Sequence, residues 1–382
     1  MLRKRMNLSQ SSLSYRIISE SHLSNIEKGR YTPHEDILKL LSPRLNVPES
    51  YLVNYKIEDM KLEDILGQFY ELIETNVTKA KDYYEDIKKN YAYIPSIKQE
   101  FQFLLLIIYM FYKTDVGEAD RLFEKLKCYF LNVDINRMDP VVKGLFVNVQ
   151  ALHHFYKKDY LSSNQCYYLL LDISSALPPI KRANILHNIA LNYWKIKDFN
   201  NAEIFCRSSL EIYYKEHDWG SIGDLYNFIA VLYCSRAENE KAITQLEKIF
   251  QLPYTDMKTV GKTYHNLGTI YLKSKDYCKA LEYLNKAVEI KEKSSDITSY
   301  VNSLLVLIKV YINLENLSEV ELLFSKIKEK VSNKRDHYRI MSLEAKVHFQ
   351  RGITHEYEEL MIESINFFIE EKMFDYIISL SQ

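Results

Sequence analysis

The chain has 382 residues, with 50 Lys and Arg against 51 Asp and Glu, and is long enough to bury more than one hydrophobic core. Nine glycines and eight prolines fall well under half of the roughly 12% usual for these two residues, which disfavours a turn-rich sheet protein and a glycine-rich nucleotide-binding fold. Long helices joined by short polar turns are what this composition permits, so the expected class is all-α.

The longest apolar run, 103–112, lies between Glu100 and Lys113 and is far short of the ~20 residues of a spanning helix. The first twenty residues carry Arg3, Lys4, Arg5, Arg16 and Glu20 where a secretory signal needs an apolar core. Cys128, Cys166, Cys206, Cys234 and Cys278 are scattered without a C-x-x-C pair, which points to reduced thiols rather than a disulfide framework or a zinc ribbon. The expectation is a cytoplasmic chain with no membrane partner.

Charge is uneven. Residues 1–56 hold nine Lys or Arg and five acids, net +4, which leaves 41 basic and 46 acidic residues, net -5, for 57–382. A basic head on an acidic body reads as a polyanion-binding module followed by a domain with another task, so the expected domains are 1–56 and 57–382.

In the head, Ser9 can cap a helix from Gln10 that turns Leu13 and Ile17 inward. A turn at Ile18 and Ser19 leads to a second helix over 20–28, with Leu23 and Ile26 inward and Ser21, His22, Ser24 and Asn25 outward. Gly29 is placed to stop it in a left-handed conformation. Pro33 opens a third helix through Leu45, with Ile37, Leu40 and Leu41 as its apolar stripe, and Pro48 starts a short fourth. Small polar residues on the second helix suit the DNA major groove, and Arg16, Lys28 and Arg30 flank them where they can meet phosphates. An ordinary helical bundle with a solvated polar face fits the same pattern.

The string Leu8, Ser9, Gln10, Leu13, then Ser19, Ser21, Leu23, Ser24, Ile26, Glu27, Lys28, Gly29, Arg30 and Pro33 resembles the Cro/C1-type (Xre) helix-turn-helix family over residues 2–53. That resemblance implies that Gln10 touches the DNA backbone and that Ser21, Ser24 and Asn25 face bases. The chain departs from the family in lacking the usual glycine between the helices, in a turn one residue shorter, and in a first helix cut to 2–6.

The body repeats itself with a period of about 38 to 40 residues. Tyr264, Leu267, Gly268, Tyr271, Tyr277, Ala280, Leu284 and Ala287 are matched one unit earlier by Tyr226, Ile229, Ala230, Tyr233, Asn239, Ala242, Leu246 and Ile249. Small residues at the eighth and twentieth offsets let two antiparallel helices approach, and one such pair cannot bury both its faces, so several must stack. This resembles the tetratricopeptide repeat, strongly over 182–330 and faintly over 61–90, 99–130, 143–181 and 337–380. The likeness implies a right-handed superhelix whose first helices line a concave groove. Asn184, Asn188, Lys195, Asn227, Lys262, Asn266, Lys273, Asn302 and Lys309 fall at groove-facing offsets. Asparagine amides can pair with the backbone of an extended peptide and lysines with its carboxylates.

No catalytic or metal constellation accompanies this, and no cofactor is expected. His355 and Glu356 begin like H-E-x-x-H, but the closing position is Glu359; His153 and His154 are adjacent and point about 100° apart on a helix. The final segment, with Ile365, Phe367, Phe368, Ile369, Met373, Phe374, Ile377, Ile378 and Leu380, is apolar over more than one face and is expected to bury a second surface as a two-fold dimer.

An Xre-type head before a tetratricopeptide array resembles the RRNPP group of peptide-sensing regulators, in length nearer its longer, NprR-type members. What this implies is a homodimeric, non-enzymatic transcription regulator that binds duplex DNA and is controlled by a short signalling peptide in the groove. Two alternatives share the architecture: a Rap-like adaptor that binds a response regulator or phosphorelay protein, and a phage lysis-lysogeny peptide receptor.

Overall fold

The computed structural model describes residues 2–130, 138–173, 178–294, 296–331, 333–371 and 373–380, and every regular element among them is helical. The chain divides into two compact units, 1–177 and 178–382.

The first unit opens with five short helices: α1 (Leu2–Arg5), α2 (Gln10–Ser14), α3 (Glu20–Glu27), α4 (Glu35–Leu41) and, after a 3-10 turn at Pro43–Leu45, α5 (Glu49–Val53). Their core is small. Leu13, Leu23, Leu41 and Leu45 are buried, and Ile17, Ile18, Ile37, Val47 and Leu52 pack around them. The caps follow from sequence: the Ser9 hydroxyl accepts from the Ser12 amide, the Ser19 hydroxyl from the His22 amide, and Gly29 takes φ +68 just past α3. The expected helix through Ile17 instead stops at Ser14. Arg16 adopts φ +56 in the turn, the conformation a glycine would take without strain. Arg44 compensates by donating to the carbonyls of Leu13 and Tyr15, which the end of α2 leaves without helical partners. The expected third helix from Pro33 through Leu45 runs only over 35–41, and Leu40, expected inward, is exposed, because Leu41 takes the core position and its neighbour points about 100° away from it.

Six longer helices follow: α6 (Met60–Thr75), α7 (Val77–Asn90), α8 (Ile97–Tyr112), α9 (Val116–Phe130), α10 (Pro140–Tyr156) and α11 (Tyr160–Ile173). The apolar run 103–112 lies in α8, where ten of sixteen residues are buried against α6, α7, α9 and α10. A helix apolar all round is here a central core helix. Its N-terminal end receives the head: Tyr51 donates to Glu100 and the Ile97 amide to the carbonyl of Tyr55.

The second unit is five antiparallel pairs and a short last helix. The pairs are α12 (Pro179–Lys195) with α13 (Phe199–Lys215), α14 (Trp219–Ser235) with α15 (Asn239–Ile249), α16 (Met257–Lys273) with α17 (Tyr277–Glu292), α18 (Ile297–Asn313) with α19 (Leu317–Lys328), and α20 (Lys334–Gln350) with α21 (Thr354–Glu370); α22 is Phe374–Leu380. The small-residue offsets lie where the helices touch, since Ala190, Ala202, Ala230, Ala242 and Ala280 are wholly buried. Gly268 is the tightest of these contacts: a Cβ there would stand 2.5 Å from Leu284 Cγ.

Candidate functional site

On the head, Ser21 and Asn25 stand exposed on α3 and Ser24 is half-buried beside them. Arg16, Lys28 and Arg30 are exposed around this face. His22 departs from its expected outward position. Its ring packs edge-on against Tyr31 at 4.6 Å and its Nε2 is sealed from solvent without a hydrogen-bond partner, because Tyr31, just past the Gly29 stop, folds back over it. Gln10 is half-buried and donates its amide to Glu27 at 2.6 Å. Glu27 also holds the Arg3 guanidinium, at 2.6 and 3.0 Å, and this pair keeps its carboxyl below the usual range. Gln10 and Arg3 therefore brace the second helix of the motif from behind.

The second candidate surface is formed by the first helices of the repeats in the second unit: α12, α14, α16, α18 and α20. Equivalent positions on neighbouring helices meet in rows. In one row Lys262 pairs with Asp224 at 3.0 Å, and Arg339 donates to Asn302 at 2.7 Å while holding Asp336 at 2.9 Å. Asn184 accepts from the Tyr213 hydroxyl and Asn188 is half-buried. Lys195 is exposed with its ammonium 4.4 Å from the Trp194 ring, and Lys273 is exposed at the edge of α16.

Asn227, expected to face a peptide, lies inside the stack. It is wholly buried and donates to the Gly223 carbonyl and to Thr263 Oγ1 at 3.1 Å. Asn266 reaches it across the helix boundary, Nδ2 to Oδ1 at 2.8 Å. The reason is register: Asn227 is the ninth residue of α14 and Asn266 the tenth of α16, so they stand on different faces, and Gly223, where a Cβ would lie 2.9 Å from Thr259, lets α16 close over Asn227. Asn227 thus fixes the register of α14 against α16.

Between α14 and α16 the surface opens into a cavity of about 170 Å³ lined by Val231, Cys234, Ser235, Asn266, Thr269 and Lys273. Trp194 and Phe228 stand beside it with ring centroids 5.9 Å apart, and the Trp194 indole donates to Ser235. Burial shifts the basic groups nearby. It pulls His187 down to about 4, with Lys262 adding to burial and Asp224 opposing it, and His265 down to about 3, aided by Lys291 and Arg339. Lys309 is pulled down to about 8 by burial and by the charges of Lys346 and Arg339.

Trp194, Phe228, Arg339 and Lys346 were not among the residues singled out from the sequence. Arg339 and Lys346 sit in α20 where Asn302 and Lys309 sit in α18, so a sharper alignment of the faint last repeat would have found them. Elsewhere, His153 is buried in the first unit, stacked on Phe123 and bonded to Tyr112 and Asp120, and His355 faces Glu359 on an exposed surface. No group of three or more His, Cys, Asp or Glu among the described residues is placed to hold a metal, and none of the described helices is long and apolar enough to cross a membrane.

Comparison with known proteins matches both surfaces to families. The helix-turn-helix family covers residues 1–52, and the tetratricopeptide repeat family covers 183–216 and 261–294. The transcriptional activator NprA of Geobacillus stearothermophilus is 25% identical over 305 residues, 77% of this chain and 72% of the relative. Among solved structures, the apo form of RapI is similar with a TM-score of 0.60 at 18% identity, covering 84% of this chain and 90% of that one. NprR in complex with its cognate peptide NprX is similar with a TM-score of 0.58 at 18% identity, covering 80% and 89%. Fold and surfaces together define a helix-turn-helix protein built on a tetratricopeptide array. In sequence the chain is similar to a transcriptional activator, and in fold to RapI and NprR.

Proposed function

We propose that the protein is a cytoplasmic transcription regulator that binds duplex DNA through residues 1–56 and is controlled by a short signalling peptide held on the inner helices of its repeats. The observation that carries this reading is the pairing of an exposed α3 face, Ser21 and Asn25 ringed by Arg16, Lys28 and Arg30, with an inner repeat surface that offers an apolar cavity, amides and cations. The similarity to NprA and to the peptide complex of NprR supports it. Gln10, Ser24 and the exposed lysines Lys195, Lys262 and Lys273 are supporting contacts; Asn188, Asn266, Asn302 and Lys309 are the candidate peptide partners.

Homodimer formation is part of the proposal. Phe368 is wholly buried within its own chain, but Ile362, Ile369 and Phe374 stay half or more exposed near the C-terminal end; the side chain of Ile378 lies outside the described residues. Ile369→Glu with Phe374→Glu should convert the dimer to monomer in light scattering, and an unchanged dimer moves the interface elsewhere.

Fluorescence anisotropy with the DNA upstream of the protein's own gene tests the central reading. Binding should weaken steeply with salt. Ser21→Ala with Asn25→Ala should relax discrimination between sequences, whereas Arg30→Ala should weaken all sequences alike and lower the salt slope by about one. No salt-sensitive binding with or without the peptide encoded beside the gene would favour the adaptor reading, in which a response regulator is the partner.

A further inference from the structure

The inner surface of the second unit changes character along its length. The thirteenth residue of each first helix lies on this surface: Val231 in α14 and Thr269 in α16 line the cavity described above, and the equivalent residues of the next two helices are Lys309 in α18 and Lys346 in α20. Both lysines are only partly exposed, and neither ammonium has a carboxylate or hydrogen-bonding partner among the described residues. Their neighbours are one more cation and a ring: Arg339, already shared between Asp336 and Asn302, and Tyr376, whose ring centre lies 5.8 Å from the Lys309 ammonium and 5.7 Å from the Arg339 guanidinium. Two half-buried ammonium groups set beside a guanidinium are costly without a counter-charge. Burial and mutual repulsion pull Lys309 down to about 8, and burial pulls Lys346 below its ordinary value.

Resting on the peptide reading of this surface, we propose that Lys309, Lys346 and Arg339 form a carboxylate subsite, so that a bound peptide lies with a carboxylate between α18 and α20 and an apolar side chain in the cavity between α14 and α16. The carboxylate supplies the missing charge and accepts from both ammonium groups, and charge-assisted hydrogen bonds in a partly desolvated place are the strong kind. The order of the two subsites gives the peptide one direction on the repeats. The shared chemistry is a carboxylate, which comes either from the peptide's C-terminus or from an Asp or Glu side chain.

Three random heptapeptide libraries on the full-length protein test this, with the retained peptides read by mass spectrometry after size exclusion. The first lacks Asp and Glu and ends in a free carboxylate, the second is its C-terminally amidated counterpart, and the third is amidated but carries one Asp or Glu. The first or third should be retained about tenfold or more over the second, as loss of a charged hydrogen bond implies. Enrichment of the first assigns the subsite to the C-terminus and of the third to a side chain. K309Q/K346Q should erase the preference and K309R/K346R should keep it, with circular dichroism confirming the fold of each. Equal retention of all three libraries by the wild type overturns the subsite while leaving peptide binding standing, and a preference that survives in folded K309Q/K346Q removes it from these lysines. Retention of no library overturns the peptide reading and the subsite with it.

Discussion

The head and the repeat unit bury their apolar residues in opposite ways. The head closes on four buried leucines supplied by three short helices and a 3-10 turn, so each leucine touches most of its core. The second unit spreads its core along successive helix pairs in which the same small-against-large contact recurs. A core of the first kind fails as a whole, and one of the second kind fails locally, because each pair leans only on its neighbours. The DNA-reading surface we propose therefore stands on the more fragile part of the chain.

The sharpest way to break this comparison is Leu23→Ala. Leu23 is 2% exposed at the centre of the head, and such a truncation costs about 2–5 kcal/mol, a large share of what so small a core supplies. Hydrogen exchange should show residues 2–53 unprotected with the repeat amides unchanged; uniform loss of protection in both would unite the two cores. Gly268→Ala is the matching test in the repeats. Its methyl must displace Leu284, an overpacking effect of about 1–3 kcal/mol, and exchange should rise in α16 and α17 but not in the head.

Asn227→Ala removes three hydrogen bonds inside the stack, leaving Thr263 only its bond to the Thr259 carbonyl and the half-buried Asn266 amide without its partner, at about 1–3 kcal/mol. A melting temperature equal to wild type would return Asn227 to the exposed role its spacing implied. Acid separates the two regions more gently. His187 and His265 are held near 4 and near 3, below the usual 6.5, so between those values the unfolded chain binds protons that the fold does not. The repeats should lose stability as pH falls from about 6.5, as local melting followed by exchange will show. In the head the depressed group is Glu27, whose contribution is present above the ordinary carboxylate pKa and lost as pH falls through its lowered value. The smallest effect belongs to the turns. Ala237 sits at φ +61 between α14 and α15, and Ala237→Gly should stabilise the repeats by up to about 1 kcal/mol in denaturant unfolding.

Local rules in the sequence were enough for the cap at Ser9, the turn at Ile18 and Ser19, the stop at Gly29 and the alternation of helix and turn, because each depends on a few neighbouring residues and their backbone preferences. The repeat period was equally legible, since a packing contact made many times leaves the same small and large residues at the same offsets. Distances across helices were not. Asn227 and Asn266 stand one position apart in their repeats, yet both were read as facing outward; one is sealed between α14 and α16, where Gly223 lets the helices approach, and the other reaches it from the surface. Tyr31 over His22 and Arg44 on the end of α2 join residues whose spacing carries no period. The juxtaposition of Lys309 with Lys346 and Arg339 likewise exists only once α18 and α20 lie side by side. Periodicity determines which face of a helix turns inward; only packing decides what that face meets and how much water is left between them.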